Sequence, residues 1–320
     1  MKKIILLSVV VTLLMAACEQ MKKEIDINIS DAEKHIVING IINPDSLITV
    51  RISQSQNILD DSKINYLTSA DVKLYENDVF VEYIQHKDTG VFKSTIKPEI
   101  GKEYKITVDY GKMKTAIATT LLKEANKILK VDTSMQLGYS GYYNEAGEYI
   151  EDGYANSYDI NFKVKFKDNG ETEDYYFLAL AVKQPEYTQD SPPVFIGYKE
   201  YPEVFFNTND VVFKDYNQEY ILDGLYGMVF SDEKFNGAYY SLNFKSTIHD
   251  KGLDKKPLIV IKLLTVPKDI YQFILTRNKN EQTTGDPFAQ PVQIYSNIEN
   301  GLGIFSYYTM DVDSLLIKTK

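Results

Sequence analysis

Short runs of alternating apolar and polar residues recur along most of this chain. Clear examples are residues 48–53, 104–110 and 160–167. Each run has the period of two that places apolar side chains on one face of a β-strand and polar side chains on the other. Asn, Asp, Gly and Pro, which favour turns, separate the runs. The pattern therefore predicts an all-β protein made of antiparallel sheets, each with one solvated face.

The spacing of these runs predicts two domains, because a chain of 320 residues is long for a single core. Residues 34–122 are expected to form an immunoglobulin-like or transthyretin-like β-sandwich. The segment 121–129, LLKEANKIL, is expected to be a linker or a short helix at the boundary. Residues 128–320 are predicted to form a larger β-rich domain with one or two short helices.

Local patterns refine the second domain. Residues 258–266 are apolar almost throughout, which predicts a central strand. Pro267 followed by Asp269 predicts the start of a helix, and residues 278–291 are expected to form an exposed loop. The segment 168–174, DNGETED, predicts a hairpin turn with a solvated tip. It resembles a calcium-binding loop only loosely, because its acids lack the required order.

The N-terminus has the organisation of a secretory signal peptide. Two lysines precede an apolar run over residues 4–17, which is shorter than the roughly 20 residues of a membrane span. Residues 16–18, Ala-Ala-Cys, resemble the lipobox of bacterial lipoproteins, although Met stands where that motif prefers Leu. The resemblance implies removal of residues 1–17 and lipidation of Cys18, the one cysteine in the sequence. Residues 18–33 are then expected to be a polar tether.

The net charge of the chain excludes some partners. It is −10 at pH 7, whereas nucleic-acid phosphates demand an excess of Lys and Arg. An acidic surface is also repelled by anionic lipid. Attachment to a membrane must therefore come from the acyl chains on Cys18, and two chains hold a protein firmly where one does not.

Acidic residues and tyrosines concentrate in one region. Between residues 145 and 223 acids outnumber lysines 17 to 6, and 16 of the 25 tyrosines lie between residues 139 and 240. Tyr offers a broad contact area with a polar tip, so we expect an acidic recognition loop that favours a basic or cationic partner. A solvated loop that only maintains solubility is the alternative. The candidate contacts, all in the segment GYYNEAGEYIEDGY, are Tyr142, Tyr143, Tyr149 and Tyr154.

Motifs that indicate catalysis are missing from the sequence. It contains no HExxH, GxSxG, CxxC or Walker motif, and no GxGxxG after a strand. The three histidines, His35, His86 and His249, are far apart and are expected to be structural or exposed. We therefore expect no enzymatic activity, no metal and no cofactor. Because carboxylates are abundant, a two-acid hydrolase site assembled from distant residues stays open as an alternative.

Two stretches resemble a known family. The start, HIVINGIINPDSLITVRISQSQNILDD (35–61), and the tail, DPFAQPVQIYSNIENGLGIFSYY (286–308), are similar to the domain-of-unknown-function 4249 family. The resemblance implies an outer-membrane lipoprotein encoded near TonB-dependent transporters, with no established activity and no catalytic residues to transfer. Gly303 in the tail is expected to allow close backbone approach. The tail residues that match the family pattern are Asn297, Gly301, Gly303 and Phe305.

The leading functional hypothesis is a non-catalytic outer-membrane lipoprotein that assists a TonB-dependent β-barrel transporter, by capturing substrate or by shaping the complex. Glu19, directly after Cys18, favours the cell surface over the periplasmic face. A cell-surface hydrolase and an adhesin or envelope structural protein are the alternatives. A deep cleft with convergent carboxylates would indicate an enzyme, whereas a concavity lined by Tyr or a flat patch would indicate a binding protein.

Overall fold

The computed structural model describes most of the chain after residue 32. The ranges are 33–57, 62–143, 148–203, 206–213, 220–249, 258–283, 289–290 and 292–316. Strands dominate these ranges, so the prediction of an all-β sandwich fold is confirmed. The first eight strands are β1 (Ile36–Ile42), β2 (Thr49–Gln54), β3 (Asp71–Glu76), β4 (Val79–Tyr83), β5 (Gln85–Asp88), β6 (Val91–Lys93), β7 (Glu103–Asp109) and β8 (Ala116–Leu121).

The rest of the chain adds longer strands, a 3-10 turn (Asp232–Lys234) and an α-helix. The strands before the helix are β9 (Ile128–Tyr143), β10 (Tyr149–Lys167), β11 (Tyr175–Tyr187), β12 (Phe195–Glu203), β13 (Phe206–Asn207), β14 (Tyr220–Leu222), β15 (Leu225–Ser231), β16 (Tyr239–His249) and β17 (Leu258–Val266). The helix and the strands after it are α1 (Lys268–Thr283), β18 (Gly301–Tyr307) and β19 (Thr309–Leu316).

Four sheets organise these strands. Sheet A has the order β18-β1-β2-β6-β5, and sheet B has the order β4-β3-β7-β8. Sheet C has the order β13-β16-β10-β9, and sheet D has the order β14-β15-β11-β17-β19 with β12 added beside β11. Strand β17 lies between β11 and β19 and is buried at most positions, which confirms the predicted central strand.

Three apolar cores hold the sheets together. One core combines alternate residues of sheets A and B, as the period-two pattern predicts, and it includes Phe305 of β18. A second core lies between sheets C and D and is rich in aromatic rings, such as the stacked pair Phe162 and Phe244. The third core packs α1 against the other face of sheet D and against Ile41 and Ile304 of sheet A. Helix α1 therefore packs between sheet D and sheet A.

The parallel pair of β1 and β18 joins the two ends of the chain. Each residue from Ile36 to Ile42 pairs with one residue from Gly301 to Tyr307. The partition into residues 34–122 and 128–320 stays a prediction, yet β18, which that partition assigns to the second domain, completes sheet A of the first. Residues 122–127, between β8 and β9, have no regular secondary structure.

The helix starts where the sequence predicts and ends later than it predicts. Ile270 and Ile274 are fully buried on one face of α1. The exposed loop expected over residues 278–291 is wrong up to Thr283, where the helix ends. The polar last turn is held by the segment that follows, because the Asn280 side-chain amide donates to the Val292 carbonyl at 2.8 Å. Such a contact leaves no trace in hydrophobic periodicity. In the described ranges, no helix combines the length and the hydropathy needed to cross a bilayer.

The predicted hairpin at residues 168–174 is also wrong. Strand β10 before it belongs to sheet C and β11 after it belongs to sheet D, so the segment is a corner between two sheets. Residues 169–171 and 173 are exposed, so the solvated tip is confirmed, whereas Asp168 and Asp174 at its two ends are 2% and 8% exposed. The Asp-Asn-Gly signal predicts a chain reversal correctly, but it does not specify whether the flanking strands pair.

Close packing between β1 and β18 requires a glycine at position 303. Gly303 has a φ of +104°, and a Cβ there would lie 2.1 Å from the Ile38 carbonyl oxygen. We expect Gly303→Ala to lower the free energy of unfolding by more than about 3 kcal/mol, from backbone strain and this clash. Gly111, at φ +57° with open space around it, is the control, and Gly111→Ala should cost only about 1 kcal/mol. Urea unfolding of both variants checks this, and equal losses would contradict it.

Candidate functional site

A polar groove of about 720 Å³ lies on the outer face of sheet C. The alternation along β10 creates it, because Ile160, Phe162 and Val164 enter the core while Asn161 and Lys163 point outward. The corresponding positions of β9 and β16 supply further polar groups. The polar side chains that line the groove are Asp132, Thr133, Ser134, Asn161, Lys163, Asn207, Thr208, Asn209, Asp210, Asn243 and Lys245.

The segment after β13 forms one wall of the groove and is fixed by hydrogen bonds to β16. The Thr208 hydroxyl donates to the Asn243 carbonyl at 2.6 Å, and the Asn243 backbone N–H donates to Asp210 Oδ2 at 3.0 Å. The Tyr240 hydroxyl donates to Asp210 Oδ1. Burial, together with this carboxylate, holds the pKa of Tyr240 above its usual value, so the phenol stays protonated and keeps donating. The wall is therefore preorganised.

The floor of the groove is held by an ion pair and by side-chain hydrogen bonds. Lys245 Nζ lies 2.6 Å from Asp159 Oδ2, and the Thr247 hydroxyl donates to Asp159 Oδ1 at 2.6 Å. The bond from Lys245 is the main cause of a lowered pKa of Asp159, so this carboxylate stays ionised at neutral pH. The Asn161 amide donates to the Ser134 hydroxyl at 3.3 Å.

The groove offers hydrogen-bond donors and acceptors in similar numbers. Each side-chain amide presents a carbonyl and an NH2 group, and each hydroxyl can donate and accept. A ligand with many hydroxyl or amide groups, such as a carbohydrate or a peptide, matches this chemistry. In the part of the lining that the structure describes, no histidine and no cysteine is present.

The predicted contact tyrosines lie on the strands that carry the groove, and not in a loop. Tyr142 and Tyr143 end β9, and Tyr149 and Tyr154 lie in β10, with Tyr143 paired to Tyr149. The loop prediction is wrong for their backbone, because the β9–β10 ladder continues past an irregularity between Glu151 and Asn156. The side chains of these four tyrosines lie outside the described part of the chain. Their role in binding stays a prediction.

Sequence reasoning missed the amide residues that line the groove. The signal that could have found them is the segment FNTND (206–210), where Asn and Asp are unusually dense. Outward polar positions on alternating strands, such as Asn161 and Asn243, were a second signal. The composition emphasises Tyr and acids, whereas most of the polar side chains in the groove are amides and hydroxyls.

The tail residues that match the family pattern lie away from the groove and form contacts within the chain. Asn297 Nδ2 donates to the Phe305 carbonyl at 2.8 Å, and the Phe305 N–H donates to Asn297 Oδ1 at 3.0 Å. The same Nδ2 donates to Asp269 Oδ2 at the start of α1, at 3.1 Å. A Cβ on Gly301 would lie 2.8 Å from the Ile36 carbonyl oxygen. These contacts give the motif a structural role.

A second chemical cluster lies at the corner between sheets C and D. One carboxylate oxygen from each of Asp168, Asp174 and Asp232 lies within 4.8 Å of the others, and all three residues are buried. The Tyr176 hydroxyl donates to Asp168 Oδ1, and the Gly237 N–H donates to Asp168 Oδ2 at 2.7 Å. The Asp174 N–H donates to Asp232 Oδ2 at 2.9 Å. The cluster does not line the polar groove on sheet C.

Burial and, after it, charge repulsion disfavour ionised carboxylates in this cluster. Burial raises the pKa of Asp174 and of Asp232, and the neighbouring carboxylates raise both further. Oxygen atoms of this kind are the ligands that Ca²⁺ and Mg²⁺ prefer. A proton shared among the acids relieves the same repulsion. In either case, the stability of this corner depends on the divalent cations or on the pH of the solution.

The fold and the groove define the class: a multi-sheet, all-β protein with a polar groove on the outer face of one sheet. The family model "Domain of unknown function (DUF4249)" matches residues 22–313, and the chain belongs to that family. The resemblance seen in the start and the tail of the sequence is thereby confirmed at the level of the family. No curated protein matches the chain.

Removal of one charge from the carboxylate cluster should stabilise the protein at neutral pH. We expect Asp232→Asn to raise the melting temperature at pH 7 by roughly 2–4 °C, because it removes repulsion and keeps an oxygen that can accept from the Asp174 N–H. The folded-state pKa of Asp232 is raised, so the wild type gains the same stability as pH falls toward the unfolded value of 3.8. The difference should therefore shrink on acidification.

Thermal unfolding between pH 7 and pH 4 measures this effect. Asp190→Asn, at an exposed acid in the β11–β12 connection, is the matched control and should change little at any pH. A variant Asp232→Asn that is less stable than wild type at pH 7 would contradict the repulsion argument.

Proposed function

We propose that the protein is a lipid-anchored, outer-membrane binding protein that captures a polar ligand for a TonB-dependent β-barrel transporter. The observation that carries the proposal is the groove on sheet C, which combines amide, hydroxyl and charged groups on rigid strands. A groove of about 720 Å³ has the size of a site for a small ligand. Binding by such a site needs no chemical step.

The pairing of the charged groups in the groove supports capture of a ligand rather than catalysis. Asp210 accepts hydrogen bonds at both carboxylate oxygens, and Lys245 is paired with Asp159. Both groups are held in fixed positions by the protein, where they can recognise a ligand through hydrogen bonds. The described lining therefore favours recognition of a ligand over its hydrolysis.

Anchoring rests on Cys18 and on the segment that follows it. With two or more acyl chains, Cys18 would hold the protein at a bilayer surface. The tether of residues 18–33 could span roughly 50 Å if fully extended, at about 3.3 Å per residue. This reach lets the groove sample the mouth of a neighbouring transporter. Glu19 next to the anchor favours the cell surface.

A projecting aromatic surface supports contact with a protein partner. Tyr187 at the end of β11 and Phe195 and Tyr198 on β12 are 36%, 49% and 61% exposed. Their rings touch, with centroids 5.7 Å apart for Tyr187 and Phe195 and 5.3 Å apart for Phe195 and Tyr198. Contiguous exposed aromatic side chains of this kind mark protein interfaces. We call these three residues the aromatic ribbon.

Loss of the lipid site should release the protein from membranes. We expect Cys18→Ser to abolish incorporation of labelled fatty acid and to move the protein from the membrane fraction to the soluble fraction. The physical reason is that the acidic surface has no other strong attraction for lipid. Fractionation with metabolic labelling measures both effects. Full membrane retention of the unlabelled variant would contradict the proposed anchor.

The aromatic ribbon should be needed for capture of the transporter. We expect the wild-type protein to co-purify with a β-barrel transporter from detergent-solubilised membranes, and Phe195→Ser with Tyr198→Ser to lose it. The control is Phe80→Ser with Tyr83→Ser, which removes a comparable exposed aromatic pair from β4. Mass spectrometry of the eluates identifies the partner. Wild-type protein recovered without a barrel would contradict the accessory role and favour an adhesin.

A further inference from the structure

A second groove, of about 700 Å³, lies between the outer face of sheet A and helix α1. Helix α1 covers one part of that face, where Ile41 and Ile304 join its apolar core. The uncovered part forms the floor of the groove. The wall is made by Phe273 and Arg277 of α1 and by Asp223 in the turn between β14 and β15.

Strand register places cationic side chains on this floor. Arg51 of β2 pairs with Asn39 of β1, and Lys93 of β6 pairs with Thr49 of β2. Cross-strand partners share a face, so these four residues line the groove together. Arg277 faces them from α1. Three cations therefore converge on one groove.

The charge of the groove is opposite to that of the protein as a whole. The chain carries −10, yet the only acid among the described lining residues is Asp223, which already accepts a hydrogen bond from the Tyr308 hydroxyl at 3.0 Å. Among the residues that the structure describes, neither Arg51 nor Lys93 forms an ion pair with a carboxylate. Arg51 lies over the Tyr66 ring, 5.8 Å from its centroid, a contact that leaves its positive charge in place. Arg51 and Lys93 therefore attract anions to this concave site.

Arg277 is held at the edge of the groove by contacts within the protein. Its Nη2 donates to the Ile221 carbonyl at 2.8 Å, which fixes the guanidinium in place. Its Nε is buried and has no hydrogen-bond partner in the described part of the protein. Nε also forms a long ion pair with Glu281 on the same helix, with 3.6 Å between Nε and Oε1. These contacts fix the guanidinium at the edge of the groove, where its positive charge adds to those of Arg51 and Lys93.

We infer that this groove binds a small organic anion. Its carboxylate or phosphate group would meet Arg51, Lys93 and Arg277, since guanidinium and ammonium groups are the side chains that recognise these oxygens. Its apolar part would lie against Ile41 and Phe273 in the same groove. The volume is in the range of sites for small molecules. The groove is separate from the one on sheet C, so the inference does not depend on the proposed function.

Titration of the purified full chain with three matched probes tests the inference. The probes are butanoate, butyl phosphate and butan-1-ol, which share one alkyl chain and differ in the head group. We expect both anions to bind and the alcohol not to bind, by isothermal titration calorimetry. Tighter binding of the phosphate assigns the site to phosphorylated ligands, and tighter binding of butanoate assigns it to carboxylates.

Charge-removing variants distinguish anion binding in the groove from a general electrostatic effect of the protein's charge. We expect Arg51→Gln with Lys93→Gln to weaken anion binding by at least about tenfold, because two charge-assisted contacts are lost. Lys87→Gln with Lys97→Gln removes the same charge at exposed positions outside the groove and should leave binding unchanged within about twofold. Thermal unfolding shows whether the double variant folds. If it does not fold, Arg277→Gln serves as a second groove variant.

Four results would overturn the inference: absence of binding by both anions, equal binding of butan-1-ol, equal loss in the two double variants, or wild-type binding by a folded groove variant.

Discussion

The parallel pairing of β1 with β18 is the constraint on which the rest of the structure depends. A parallel pair cannot be closed by a tight turn and needs a long crossover. Here the whole chain between Ile42 and Gly301 is that crossover. The pairing brings Ile304 onto the face of sheet A that receives α1, and Asn297 ties Phe305 to Asp269 at the start of that helix. The basic groove exists because α1, positioned in this way, leaves part of sheet A uncovered.

Local sequence patterns predict the elements of this fold well and their partners poorly. The alternation along β7 and β10, the apolar run of β17 and the start of α1 each depend on residues within a few positions of one another. Pairing of β1 with β18 depends on residues more than 260 positions apart, and nothing in the period of either strand specifies the other. The corner at residues 168–174 shows the same limit, since a turn signal does not specify which sheet the next strand joins.

The candidate sites show why composition is a weak guide to function. Tyr and acidic residues stand out in the sequence, yet many of them are structural: Tyr176 donates to Asp168 in the core, and Tyr240 donates to Asp210 in the wall of the polar groove. Asn161 and Asn243 are ordinary residues in an alternating pattern, and they become a site only because β10 and β16 pair in register. The cations Arg51 and Lys93 are isolated in sequence and converge only across strands, so a scan for local motifs could not find them.

Because β18 completes sheet A, the loss of β18 would leave one edge of β1 unpaired. The ribosome makes residues 301–307 long after β1, so until then the sequence IVINGII of β1 has β2 on one side and an open edge on the other. An apolar, unpaired edge of this kind recruits other strands or proteases. A chain that was truncated by a nonsense mutation or by cleavage near its end would keep that edge. Cellular quality control could therefore recognise the loss of β18 through the exposed edge of β1, a strand far from it in sequence.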